Sequence, residues 1–217
     1  MLKCLLNKAP GEELSILCLG AHSDDIEIGC GGTILRLIKE YKQVNITWIV
    51  FSSDQQRAAE ARTSADAFLR DAHEKKVYIK EFQNGYFPYI GKHIKDYYEQ
   101  LKQDLSPDLI FTHYRNDLHQ DHHLISELTW NTFRNHLILE YEIPKYDGDL
   151  GSPNFYVDLD ETISKQKVDY LIDYFKTQAD RYWFTKETFY SILRIRGFES
   201  NAPYRYAEAF YGRKIGL

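Results

Sequence analysis

The sequence predicts an α/β protein, a Rossmann-like parallel sheet sandwiched by helices, with a C-terminal extension of extra strands and helices. Two observations predict it. Short apolar runs of strand length alternate with longer segments whose apolar residues recur every three or four positions, as far as about residue 134. Strands alternating with helices argue for a parallel sheet, because each helix carries the chain back to start the next strand from the same end. Beyond residue 134, two strand-like runs are separated by a stretch containing Pro and Gly. No repeat, low-complexity tract or inter-domain linker divides the 217 residues. The chain therefore reads as one domain, 1–217, with a core over about 12–134 and an extension over about 135–217.

Each element has its own justification. Leu14–Gly20 is a short apolar run closed by Gly, the pattern of a buried strand. Gly31–Tyr41 places Ile34, Leu35 and Ile38 on one helical stripe. Val44–Phe51 is rich in Val, Ile and aromatics and reads as the second strand. Gln56–Ala72 is rich in Ala and Arg, with Ala61, Ala65 and Phe68 or Leu69 in register, a second helix. Lys76–Ile79 is a weak third strand, Ile94–Leu105 a third helix, and Asp108–Thr112 a fourth strand started by Pro107. Leu124–Arg134 is helical. Leu137–Ile143 and Phe155–Leu159 read as strands flanking a loop from Pro144 to Pro153, placed to line or cover a site. Thr162–Thr177 carries Val168, Leu171, Ile172 and Phe175 on one stripe of an amphipathic helix. Ser191–Arg196 and Tyr204–Tyr211 close the chain.

Composition excludes several classes. Apolar residues make up 43%, which rules out a disordered or collagen-like chain. No run approaches the roughly 18–20 apolar residues of a membrane span. Met1 to Lys8 lacks the apolar stretch of about 7–15 residues of a signal peptide. The expectation is a cytoplasmic protein with no integral membrane segment. A net charge of −5 without polybasic clusters speaks against nucleic acid as a partner. Cys4, Cys18 and Cys30 form no C-x-x-C pair, and their odd number fits a reducing compartment. A homo-oligomer is compatible with all of this.

The chemistry lies in the histidines. Four of eight, His113, His119, His122 and His123, fall within eleven residues, interleaved with Asp117 and Asp121. His22 sits in Gly-Ala-His-Ser-Asp-Asp directly after the first strand, whereas His73, His93 and His136 are scattered among polar neighbours and are expected to face solvent. In a doubly wound sheet strand 1 lies beside strand 4, and ligands bind in the crevice beyond their C-terminal ends. The fold alone therefore brings His22, Asp24 and Asp25 to the segment His113–His123. Two His and one carboxylate hold a divalent metal and leave a position open, as catalytic zinc sites require. His22, one of the Asp24–Asp25 pair and His122 would form such a trio, with the second Asp free as general base. If one of His119 and His122 is a ligand, the other can donate to an oxyanion, and Asp121 can orient an imidazole. Gly29-Cys30-Gly31-Gly32-Thr33 offers a rival reading as a phosphate loop, but it lacks the G-x-G-x-x-G spacing and the P-loop Lys-Ser/Thr pair. Its glycines are read instead as a tight backbone turn beside a crowded site.

Ala21-His22-Ser23-Asp24-Asp25-Ile26-Glu27-Ile28-Gly29-Cys30-Gly31-Gly32-Thr33 resembles the signature of the LmbE/PIG-L deacetylase family, which usually opens A-H-P-D-D. Asp117-Leu118-His119-Gln120-Asp121-His122 resembles its second signature, D-x-H-x-D-H. Weaker matches are Arg57-x-x-Glu60, Asn84-Gly85, the helix ending at Gln178, and Tyr206-Ala207-Glu208-Ala209-Phe210. The resemblance implies zinc-dependent hydrolysis of the N-acetyl group of an amino-sugar or sugar conjugate, releasing acetate. Zn2+ would be the cofactor, with another divalent transition metal as alternative, and the small N-acetylated sugar the partner. It implies His22, Asp25 and His122 as metal ligands, Asp24 as general base, His119 as stabiliser of the tetrahedral intermediate and Asp121 as tuner of its protonation. Arg57 would lie near the substrate, supported by Glu60. Ser23 stands where the family usually has proline, which removes a fixed φ angle from the loop. The alternatives are a catalytically silent sugar-binding protein of the same fold and a metal hydrolase acting on a different amide.

Overall fold

The computed structural model describes Leu6, Lys8 and residues 12–216. Cys4 and the reading of the first eight residues as lacking a signal peptide lie, apart from Leu6 and Lys8, outside the described residues.

The predicted alternation is present. Strands β1 (Leu14–Gly20), β2 (Val44–Val50), β3 (Glu74–Ile79), β4 (Leu109–His113) and β5 (Leu137–Tyr141) pair in parallel. Strands β6 (Phe155–Leu159) and β7 (Tyr206–Gly212) add antiparallel at one edge, giving the order β3-β2-β1-β4-β5-β7-β6. The extension thus continues the same sheet. Helices α1 (Asp25–Glu40), α2 (Gln55–Phe68), α3 (Gly91–Asp104), α4 (Gln120–Thr132), α5 (Glu161–Tyr174) and α6 (Lys186–Glu199) cover its faces. Short 3-10 turns lie at Phe87–Ile90 and Lys176–Gln178. Among the described residues, no helix is long and apolar enough to cross a membrane.

Alternation along β1 builds a core on each face of the sheet. Leu14, Ile16 and Cys18 join one cluster with Trp48, Phe68, Phe111 and Phe210, whereas Leu17 and Leu19 join the other with Phe51, Phe87, Tyr98 and Ile110. Cys18 and Cys30 are free and buried. Helix α2 is capped by Asp54, which accepts from the Arg57 N–H at 2.8 Å, and α5 by Asp160, which accepts from Ile163 at 2.7 Å.

One element corrects the reading of the glycines. Helix α1 begins at Asp25 rather than Gly31, so Gly29, Gly31 and Gly32 lie inside a helix instead of a turn. Their role is close approach: a Cβ on Gly29 would stand 2.1 Å from Cδ2 of Tyr141, and one on Gly32 would stand 2.5 Å from Cδ1 of Leu159. Helix α1 lies against the sheet because it has no side chains at these points. The contact is locked by a buried network. The Glu208 carboxylate on β7 accepts from Gly32 N–H at 2.8 Å and from Thr33 N–H and Oγ1 at 2.6 Å. Lys167 Nζ of α5 donates to the same carboxylate and, at 2.6 Å, to the Ile28 carbonyl. This ties the Tyr-Ala-Glu-Ala-Phe segment to the helix that begins at the site.

Candidate metal centre

β1 and β4 are neighbours, with Ile16, Leu17 and Cys18 opposite Leu109, Ile110 and Phe111. Their C-terminal ends deliver the two predicted segments to one crevice. The loop after β1 carries His22, Ser23 and Asp24, all buried, and Asp25 opens α1. Beyond β4, His119 occupies the N-cap of α4, and Asp121 and His122 lie in its first turn. The anionic Asp25 and Asp121 sit at helix N-termini, where the helix dipole favours negative charge.

Three donor atoms converge. His22 Nδ1 stands 3.1 Å from His122 Nε2 and 3.4 Å from Asp25 Oδ2, and His122 Nε2 stands 3.5 Å from Asp25 Oδ2. A tetrahedral ion with bonds of about 2.0–2.1 Å separates its ligand atoms by about 3.3 Å, so the donor set fits zinc. Both imidazoles are held from behind. His122 Nδ1 bonds Asp117 Oδ2 at 3.0 Å, and His22 Nε2 bonds Asp121 Oδ2 at 3.2 Å. Carboxylates on the remote nitrogens fix each ring so that its other nitrogen faces the shared donor cluster. Asp25 is braced by the His22 backbone N–H at 2.6 Å.

The electrostatics agree with a cation position. Burial opposes charge on His22, but Asp25 and Asp121 outweigh it and push its pKa up to about 10. Burial and the neighbouring His113 push His122 down to about 3, leaving a neutral ring whose Nε2 faces His22 Nδ1 at 3.1 Å. The paired carboxylates diverge. Burial disfavours the charge on Asp25, yet His122, His113 and His22 hold its pKa well below the usual range. Burial pushes Asp24 up, against the Arg57 guanidinium. Neighbouring groups driven apart in this way can take different roles, one anionic and one ready to move protons.

Asp24 is the N-cap of α1 yet makes no capping hydrogen bond. Its Oδ1 instead accepts from Arg57 Nη2 at 2.8 Å. Arg57 therefore reaches the site through Asp24. Glu60 does not support it: its carboxylate accepts the Thr177 N–H at 2.9 Å and Oγ1 at 2.6 Å, anchoring the 3-10 turn of the extension. Asp121 faces His22 rather than His119, and its carboxylate also accepts the N–H groups of Gly85, at 2.6 Å, and Phe87, at 3.1 Å. The left-handed backbone of Gly85 (φ 76°) delivers the first of these. His119 Nδ1 accepts the Asp121 backbone N–H at 3.2 Å. Its neutral tautomer therefore carries the proton on Nε2, and burial and His22 lower its pKa, favouring that neutral form. Ser23 leaves no loose loop, since its Oγ pairs with Ser53 Oγ at 2.9 Å and Ser52 N–H donates to the Ala21 carbonyl at 2.8 Å.

Two residues gained no role from the sequence. Asp117, the first acid of D-x-H-x-D-H, holds His122 and also accepts the His119 N–H at 2.8 Å through Oδ1. His113, the last residue of β4, is fully buried and stacks on His122 with ring centroids 3.9 Å apart. Its Nε2 lies 3.2 Å from Asp25 Oδ2, so Asp25, His113 and His122 form a second possible donor group, as do His22, His119 and His122. His113 Nε2 also accepts the Ala21 N–H at 2.9 Å and lies 3.2 Å from the Tyr141 hydroxyl, so this nitrogen has protein partners on several sides. The histidine count and the strand end were the signals for it. Of the remaining histidines, His73, His93 and His123 are exposed and His136 is half-buried.

Residues 17–133 match the family PIG-L: GlcNAc-PI de-N-acetylase. The chain belongs to this family. Several solved structures resemble this PIG-L member. A conserved protein from Thermus thermophilus matches with a TM-score of 0.74 at 19% identity, over 94% of this chain and 96% of that one. N,N'-diacetylchitobiose deacetylase from Pyrococcus horikoshii matches at 0.70 and 20%, over 96% and 88%. GalB, the 4-carboxy-2-hydroxymuconate hydratase from Pseudomonas putida, matches at 0.73 and 13%, over 94% and 98%. At such identities these likenesses establish the fold, and a hydratase among them means that the PIG-L fold alone does not select the reaction.

Of the dense aromatic segment Tyr182-Trp183-Phe184, Phe184 is buried in the core. Tyr182 is exposed, its ring 5.5 Å from that of Tyr146, also exposed.

Proposed function

We propose that the protein hydrolyses the N-acetyl group of an amino-sugar or sugar conjugate, releasing acetate and the free amine, with a divalent metal, zinc first, held by His22 Nδ1, Asp25 Oδ2 and His122 Nε2. The observation that carries this reading is the convergence of three donors at 3.1–3.5 Å beside a fourth buried group, Asp24, that is tied to Arg57. When bound, zinc supplies the positive charge that lowers the pKa of a water to about 7 and polarises an amide carbonyl.

The chain's own residues do the rest. Asp24 takes a proton from the attacking water as the new C–O bond forms at the acetyl carbon. When the C–N bond breaks, the proton passes to the departing amine nitrogen. Arg57 keeps the Asp24 carboxylate aimed along one direction. His119 donates its Nε2–H to the developing oxyanion as a neutral imidazole, its tautomer set by the Asp121 backbone. Asp121 and Asp117 hold the rings of His22 and His122. The extension, residues 135–217, shapes the substrate pocket, and Tyr146 and Tyr182 offer exposed aromatic faces on which a sugar ring can stack.

The test is an assay of free acetate on a panel of N-acetylated monosaccharides, oligosaccharides and nucleotide- or lipid-linked sugars, with metal content measured on the same sample. Acetate from one class, in proportion to bound zinc, supports the proposal. Stoichiometric zinc with no acetate from any member overturns it in favour of a sugar-binding protein or a hydrolase of another amide.

A further inference from the structure

The loop between β5 and β6 carries Lys145 and Asp149, four residues apart and both almost buried, with side chains 11% and 6% exposed. Lys145 Nζ lies 2.9 Å from Asp117 Oδ2, the same oxygen that bonds His122 Nδ1. It also pairs with Asp149 Oδ2, and this oxygen accepts the Leu118 N–H at 2.8 Å. The ammonium therefore sits between two carboxylates that grip the His119 segment from opposite ends, one through the Leu118 backbone and one through the His122 ring. With Lys145 on Oδ2 and the His119 N–H on Oδ1, both oxygens of Asp117 are fixed. The ammonium also offsets the buried negative charge that Asp117 and Asp149 bring to the centre.

We propose that Lys145 is a positioning residue for the metal centre, acting through Asp117 to hold His122 in the orientation that presents Nε2 to the ion. This inference rests on the proposed role of His122 as a ligand. It gives the β5–β6 loop a function besides shaping the substrate pocket: the loop is a strap whose buried end sets the geometry of the ligands. A lysine in a loop carries no sequence signal for such a role, because its partner lies 28 positions upstream.

The test measures zinc affinity by competition with a chromophoric chelator, using zinc alone and no substrate. Lys145→Met is expected to weaken zinc binding about 10-fold or more, within the 10–100-fold range for partners that orient a ligand. Lys145→Arg, which keeps charge and donors, is expected to recover most of that loss. Asp117→Asn is expected to weaken binding as well, and Lys145→Met added to Asp117→Asn to cost little more, since both act through one carboxylate. Should Lys145→Met fail to fold, Lys145→Gln removes the charge while keeping a donor and serves in its place. Wild-type affinity in the Lys145 variants, alongside lost binding in His122→Ala, overturns this inference alone. Losses from Lys145→Met and Asp117→Asn that simply add overturn it too. A wild-type protein that binds no zinc overturns the proposed metal function and this inference with it.

Discussion

At the scale of single residues, the centre is defined by what each side chain is denied. Asp24 stands where a capping residue belongs and does not cap, so its carboxylate is committed to Arg57 and the crevice. His119 caps with its ring nitrogen and so keeps its other nitrogen as a donor. Asp24→Asn is expected to lower kcat about 10²–10⁴-fold, the range of a general base, while zinc content by elemental analysis stays at the wild-type level. Normal turnover by that variant would reject Asp24 as the base. His119→Ala is expected to cost about 10²–10³ in kcat, as for loss of one oxyanion donor, with KM little changed in steady-state kinetics. The meeting of His22, the Asp24–Asp25 pair and His122 was readable in the residues, because they belong to two dense polar clusters, whereas the division of roles between the two Asp came only from the resemblance. What could not be read was the pairing behind them. Asp121 meets His22 across 99 positions, and Glu60 meets Thr177 across 117. Nothing in a local pattern announces which distant partner a carboxylate will choose.

At the scale of elements, α1 carries the most consequence. A start at Gly31 falls six residues late because three glycines in four positions weaken helix propensity. Packing overrides that weakness: the ring of Tyr141 occupies the space a Gly29 side chain would take, and the Tyr141 hydroxyl donates to the Leu19 carbonyl at 2.7 Å. Strand ends are more legible, since a run such as Leu14–Gly20 has a clear apolar start and a Gly stop. Gly29→Ala is expected to destabilise the protein by about 1–3 kcal/mol, the usual cost of overpacking a tight core, measured by urea unfolding. Because Tyr141 also lies against His113, with ring centroids 4.8 Å apart, the same variant should lose activity beyond its loss of stability. An unchanged unfolding midpoint would mean that Tyr141 moves aside freely.

At the scale of the whole molecule, the parallel adjacency of β1 and β4 is what makes one site of two clusters. That adjacency is legible in the alternation of strands and helices. The extension is less so, because two antiparallel strands at a sheet edge leave only short, ambiguous apolar runs. Chelation of the zinc-loaded protein is expected to abolish activity and lower the unfolding temperature in a thermal melt, with both restored by added zinc. Free zinc at about 100 times its Kd stabilises by about 2.7 kcal/mol if it binds only the native state. The same adjacency has a kinetic consequence. His22 and His122 are 100 positions apart, so the unfolded chain does not hold this pair together, and their encounter must follow the β1–β4 crossover. Zinc would then act as a latch closed after folding, slowing the unfolding arm of a chevron plot while leaving the refolding arm where it was.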